Sequence, residues 1–308
     1  MSIVNYKERN MSLSIYKKCD LCARNCLIDR TEKIGYCRMP SELFLSRAAL
    51  HYWEEPPLSG TRGSGTIFFC GCSLSCIYCQ NREISRGRTG KKVSIDRLSE
   101  IMIDLQNQGA HNVNLVTPTH YIPSIAQAIK GAKKMGLTIP IVYNTGGYDN
   151  ISGLKLLEGL VDIYLPDLKY YTEKSSFEFS NAKDYPTVAR AAISEMVRQI
   201  GMPVFDDEGI MKRGVIVRVL LLPSRVAEAK LSLKYLLDTY GDKIYVSLMN
   251  QYTPMPGMKP PLNRAVTHDE YNDLLEYAEK LGLQNGFIQE FGTAQESYIP
   301  PFDNTGIE

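Results

Sequence analysis

The chain has no cysteine after position 79, a single tryptophan, and no apolar run approaching the ~18 residues that cross a membrane as a helix. Its first eighteen residues, MSIVNYKERNMSLSIYKK, hold no continuous apolar stretch. No secretory leader is therefore expected there, and a cytoplasmic location is the default. No block of like charge occurs: 35 Lys and Arg face 34 Asp and Glu, for a formal net charge of +1. Neither nucleic acid nor a membrane is expected as a partner on charge grounds. Internal repeats and low-complexity tracts are also missing. With 308 residues, 44% of them hydrophobic, there is material for one large α/β domain and a small extra module.

What is present is cysteine, concentrated in the first quarter. The eight cysteines stand at 19, 22, 26, 37, 70, 72, 76 and 79. A secreted disulfide framework spreads its bridges through the fold, whereas clustered cysteines without a leader read as reduced metal ligands. In the second cluster the apolar run Ile67–Phe69 reads as a short buried strand. It leads through Cys70-Gly71 into Cys72, Cys76 and Cys79, spaced CxxxCxxC. Three thiolates on one short loop can bind three irons of a [4Fe–4S] cube and leave the fourth iron open to a chelating molecule. The competing readings are buried free cysteines or a zinc site. Zinc usually pairs two CxxC knuckles or adds histidines downstream, and nothing of that kind follows Cys79.

This spacing resembles the signature of the radical S-adenosylmethionine (SAM) superfamily, where the open iron binds the amino and carboxylate groups of SAM. In that family an aromatic residue commonly precedes the last cysteine and lies near the adenine, a place that Tyr78 takes here. The resemblance implies Cys72, Cys76 and Cys79 as ligands, with a [4Fe–4S] cluster and SAM as cofactors. The first cluster, Cys19, Cys22, Cys26 and Cys37, is spaced CxxC–x3–C–x10–C and can surround one metal. A structural zinc, a second iron–sulfur cluster and no metal at all remain open. No apolar strand precedes it, so it is not read as the SAM site.

From residue 66 short apolar runs alternate with amphipathic stretches. Strands are expected at 66–70, 113–117, 139–143, 161–165, 215–222 and 244–249, with Phe287-Ile288 as a candidate seventh. Helices are expected at 95–108, 123–135, 187–200 and 226–240, and after a capping box at Thr267–Glu270. Such alternation means parallel strands joined by crossover helices. Six units are too few for a closed eight-unit barrel. The expected class is α/β, a partial (β/α)6 TIM-like barrel with a small cysteine-rich N-terminal module, which is also the core that the radical SAM resemblance implies. The expected divisions are a metal-binding module and loop over 1–65, the barrel over 66–255 and a helical extension over 256–308. Residues 1–18 read as a loose polar arm, and 38–65 as a strand pair followed by an ordered loop without helix. In that loop Trp53 is expected to pack and Glu54 and Glu55 to form a solvated turn. The long insert 170–214 is expected to end in a hairpin around Asp207-Glu208-Gly209 and to serve as a lid or substrate element.

Sites of parallel barrels sit at the C-terminal strand ends. The polar segments there contain Thr117, Thr119 and His120, then Asn144 and Thr145, Asp167 and Lys169, and Arg218. These, with Glu54-Glu55-Pro56 through Thr66 and the cluster loop, resemble the pyruvate formate-lyase activating enzyme group. In those enzymes an Asp-Thr-Asn-Gly stretch and the Asp of an Asp-Leu-Lys motif hold a monovalent cation against the SAM carboxylate. Asp167 matches the second, and Asn144-Thr145 stands at the first with amide in place of carboxylate. The GGE-like segment that contacts the SAM amino group in radical SAM enzymes is replaced by Thr117–His120. The resemblance implies a reductant such as flavodoxin or ferredoxin and, as substrate, a glycine of a partner glycyl-radical enzyme. A small molecule or peptide is the alternative substrate, and an iron–sulfur electron carrier or zinc-binding protein the alternative class.

Overall fold

A computed structural model of the protein describes residues 13–87, 89–290 and 300–308. Its strands are β1 (Leu43–His51), β2 (Ser64–Phe69), β3 (Lys91–Val93), β4 (Val113–Val116), β5 (Ile141–Thr145), β6 (Ile163–Pro166), β7 (Val204–Phe205), β8 (Met211–Leu220), β9 (Tyr245–Met249) and β10 (Gly286–Ile288). They form one ten-stranded sheet in the order β10-β9-β8-β6-β5-β4-β2-β1-β3, with β7 added on β8. The run from β2 through β4, β5, β6, β8 and β9 to β10 is parallel throughout. β1 and β3 extend it by antiparallel pairing at one end, and the sheet does not close. This is the α/β partial barrel expected from the alternation, with Phe287-Ile288 adding the seventh parallel strand.

The crossover helices follow from local sequence. Ile95–Asn107 starts where Ser94 Oγ accepts the Arg97 N–H, and it buries Leu98, Ile101, Met102 and Leu105. Ile122–Lys134, Tyr185–Ile200 and Val226–Tyr240 likewise turn apolar faces toward the sheet. The capping box at Thr267 and Glu270 opens His268–Lys280. The hairpin of the insert is present, with Asp206 N–H bonded to Ile210 O at 2.9 Å and Gly209 at φ +76°.

Period-two alternation gives each strand two different faces. One face of the barrel strands packs with the helices in the main core. The other points into the barrel, where Leu58, Val142, Ile163, Leu165, Met211 and Ile216 form a small apolar plug. Asn144, Asp167 and Arg218 each stand two residues beyond a plug residue, so they line the mouth above it.

Four expectations fail locally. Leu43–Leu45 and Ala48–Leu50 are not a strand pair but one strand, β1, whose register shifts between Leu45 and Arg47 against β2. The loop after it contains a one-turn helix, Pro56–Ser59, because Pro56 suits a first helical position and Leu58 finds full burial in the plug. Trp53 is 63% exposed, while Glu55 is buried and the Glu54 side chain is only 10% exposed. The polar arm is also shorter than expected: Ser14–Lys18 is a 3-10 turn holding buried Tyr16, whose hydroxyl bonds Ser124 Oγ at 3.0 Å. The rest of that arm, 1–12, lies outside the described residues.

Candidate functional site

The cluster loop leaves the C-terminal end of β2. Gly71 takes φ +85° and lies so close to the N-terminal segment that a Cβ there would stand 2.6 Å from Cys37 O. The three signature sulfurs each accept one hydrogen bond. Leu74 N–H donates to Cys72 Sγ at 3.4 Å, Ser180 Oγ to Cys76 Sγ at 3.0 Å, and Ser85 Oγ to Cys79 Sγ at 3.4 Å. Cys70 behaves in the opposite way, donating its thiol proton to Thr89 O at 2.5 Å. Burial, and then the charges of Cys76 and Cys79, raise the Cys72 thiol. Among the described residues no three His, Cys, Asp or Glu side chains converge on one ion position. A cube takes one sulfur at each of three corners and requires no such convergence. Three sulfurs on one short loop, each with a hydrogen-bond donor, fit a [4Fe–4S] cluster, and donors to sulfur tune its potential.

Tyr78 is buried inside the loop, with its ring edge-on to Tyr252 at 6.0 Å and its hydroxyl receiving the Tyr170 O–H at 2.7 Å. Tyr170 also meets Ser180 Oγ at 2.6 Å, which ties the insert helix Glu173–Ser180 to the cysteine loop. Tyr148 and Tyr170 are buried.

Parallel register explains the charged group at the barrel mouth. Asn144 pairs with Val116 and Leu165 in neighbouring strands, and Asp167 bridges to Arg218. Arg218 Nε donates to Asp167 Oδ1 at 2.7 Å, and its Nη2 to Asn144 Oδ1 at 2.6 Å. Lys169 Nζ lies 2.5 Å from Asp167 Oδ2 and sits close enough for its charge to act on Cys72, Cys76 and Cys79. Burial raises the Asp167 carboxyl, but Arg218 and Lys169 outweigh it and hold the group below the usual carboxylate range. Glu54 reaches the same cluster, 3.7 Å from Arg218 and 3.5 Å from Asn144 Nδ2. Burial pushes Glu54 up and Glu55 up to about 6, each partly countered by Arg218. One Glu55 oxygen, Oε2, is buried without a hydrogen-bond partner.

The remaining expected residues fall into two groups. Thr119 Oγ1 and Thr145 Oγ1 lie 3.2 Å apart at the strand ends, and Thr145 donates to buried Asp149 at 2.7 Å. Thr117 turns the chain there with φ +59°. His120 instead packs beneath the cluster loop, its Nε2 2.8 Å from Cys70 O. Burial and the Arg30 charge drive it down to about 3, so it is neutral. Sequence reasoning read Glu54 and Glu55 as a solvated turn and did not single out Asp149. The Glu-Glu-Pro-Pro run looks solvated in one dimension. Its signal was the plug residue Leu58 three positions on.

A model of the Radical SAM superfamily matches residues 66–217. An uncharacterised protein of Methanocaldococcus jannaschii is 30% identical over 281 residues, covering 88% of this chain and 77% of that one. Among solved structures, a radical SAM methyltransferase from Sphaerobacter thermophilus aligns with TM-score 0.51 and 14% identity over 92% of this chain and 88% of that one. This likeness concerns the fold. SuiB of Streptococcus suis bound to S-adenosylmethionine aligns with TM-score 0.49 and 12% identity over 72% of this chain, which spans about half (49%) of the SuiB chain. The matched segment holds the cysteine loop and the strand ends that face it, so the chain belongs to the radical SAM superfamily and is a radical SAM enzyme with a [4Fe–4S] cluster and SAM as its cofactors.

Proposed function

We propose that Cys72, Cys76 and Cys79 hold the cluster and that the barrel mouth binds SAM for hydrogen abstraction from a substrate. The observations that carry this reading are the trio of hydrogen-bonded sulfurs on one loop and the Lys169–Asp167–Arg218 network at the barrel mouth. When bound and reduced, the cluster supplies the electron that cleaves SAM to methionine and a 5′-deoxyadenosyl radical. The protein's own residues position and exclude. Tyr78, fixed between Tyr170 and Tyr252, offers a ring edge to the adenine. Lys169 and Arg218 provide positive charge for the SAM carboxylate, while Asp167, held ionised by both, sets their direction. Asn144, Thr145, Thr117 and Thr119 supply amide, hydroxyl and main-chain groups for the amino end. His120, bonded to Cys70 O, acts by supporting the loop. Ser180 and Tyr170 bring the insert helix over the loop and help keep water from it.

The activating-enzyme motif match at Asp167-Leu168-Lys169 supports a glycine Cα–H of a partner protein as the bond attacked, with electrons from a flavodoxin or ferredoxin. The test is anaerobic incubation with dithionite and SAM, assaying 5′-deoxyadenosine. The wild type should form it, and Cys76→Ala should not. Full activity in Cys76→Ala removes the cluster assignment. A glycine-centred electron paramagnetic resonance doublet on an added glycyl-radical protein supports the finer reading, and cleavage without any such signal rejects that partner.

A further inference from the structure

Arg30 heads the fully buried side chains by volume, at 1% exposure. Its guanidinium donates to three main-chain carbonyls, of Met39 at 3.2 Å, His120 at 2.5 Å and Pro40 at 2.5 Å. These are dipoles and not charges. Among the described residues no Asp or Glu forms an ion pair with it. A guanidinium remains charged inside a protein, and a buried charge without a counter-charge is costly.

The groups placed to balance it are sulfurs. Arg30 Nη1 lies 3.7 Å from Cys19 Sγ. At Gly35 a Cβ would stand 3.3 Å from Cys37 Sγ and 3.4 Å from Arg30 Cδ, so Cys37 flanks the arginine stem. Cys22 lies within electrostatic reach of Cys19, Cys26 and Cys37. Cys26 Sγ accepts the Tyr36 N–H at 3.4 Å. Four neutral thiols would leave Arg30 uncompensated. Four thiolates around zinc, or around an oxidised [4Fe–4S] cube, carry two surplus negative charges.

We propose that Cys19, Cys22, Cys26 and Cys37, which do not converge on one ion position in this structure, draw together around a second metal–thiolate centre, a zinc ion or an iron–sulfur cluster, with buried Arg30 as its counter-cation. The centre braces the loop that carries Cys72, Cys76 and Cys79. Cys72 N–H donates to Cys37 O at 3.3 Å, and Arg24 Nε donates to Ser73 O at 2.9 Å. Arg30 holds His120 O, and the His120 ring in turn meets Cys70 O.

The test is metal and sulfide analysis of the full chain with Cys72, Cys76 and Cys79 all changed to serine, purified without oxygen. The expected result is about one zinc, or about four irons with sulfide, per chain. Zinc identifies a mononuclear centre, and iron with sulfide a cluster. Adding Cys22→Ser should abolish either. Arg30→Met, which keeps the stem, should weaken retention against a chelator roughly tenfold or more, with Arg30→Lys between it and the parent. A metal-free triple-serine chain with unaltered circular dichroism overturns the proposal, and so does metal that persists unchanged with Cys22→Ser. Should the triple-serine chain fail to fold, the wild type decides: metal beyond one cube supports the centre, and one cube alone overturns it. SAM cleavage is not read, so the result stands apart from the proposed activity.

Discussion

Arg218→Met isolates the electrostatics of the barrel mouth. The change keeps an apolar stem and removes the charge that Asp167 meets at 2.7 Å and Glu54 at 3.7 Å. The three side chains are 14%, 17% and 10% exposed, so water screens them little. Asp167 retains Lys169 at 2.5 Å, but Glu54 and Glu55 lose a cation that acts on both. Removing one partner of a buried pair costs about 3–5 kcal/mol, because the other charge stays buried. A loss of that size is expected near pH 7.5. The sign of the pH dependence follows from the carboxyls. Burial already raises both glutamates, Glu55 to about 6, and removing Arg218 raises them further. At about pH 5, below the folded value of Glu55, that carboxyl is protonated in the folded variant and the loss shrinks; as pH rises through the folded value it returns. Urea unfolding followed by circular dichroism at the two pH values measures this. A loss below ~1 kcal/mol near pH 7.5, the size of an exposed pair, refutes the reasoning. So does a loss that is the same at both pH values. Adding Glu54→Gln should return ~0.5–3 kcal/mol, since the two sites share one network.

Cys70→Ala should leave the iron content unchanged, because its thiol donates to Thr89 O, whereas Cys76→Ala should lose the cluster bound at Cys72, Cys76 and Cys79. Equal losses of iron from both would contradict the hydrogen-bond distinction. Gly71→Ala combines φ +85° with a clash against Cys37 O and Met39, so iron incorporation should fall while the barrel persists in circular dichroism. Wild-type iron content in that variant would show that the close approach is not needed. Glu55 is raised in the fold from 4.5 to about 6, so its contribution of about 2 kcal/mol is present below pH 4.5 and lost as pH rises through 6. Glu55→Gln should flatten the stability curve in that window, and an unchanged curve would place the titration elsewhere.

Much of the architecture is one-dimensional information. Strand and helix periodicity set the parallel order, the Ser94 and Thr267 caps set two helix starts, and the CxxxCxxC spacing set the cluster loop, because each depends on residues a few positions apart. Asp167 and Lys169, two positions apart, could also be read along the chain. What needed the tertiary structure involves long separations. Glu54 looks like a turn residue until Leu58 anchors in the plug and brings the turn under Arg218, which comes from a strand far along the sequence. His120 looks like a ligand until its ring is found beneath Cys70 O. The distinction between Cys70 and its three neighbours rests on the partner of each sulfur, Thr89 O in one case and Ser180, Ser85 and Leu74 in the others. Arg30 is one arginine among many in the sequence. Only burial against Cys19 and Cys37 turns it into a charge that demands an answer. Local spacing fixes which chemistry the chain can carry, and long-range packing decides which charges are left in a low-dielectric interior to govern it.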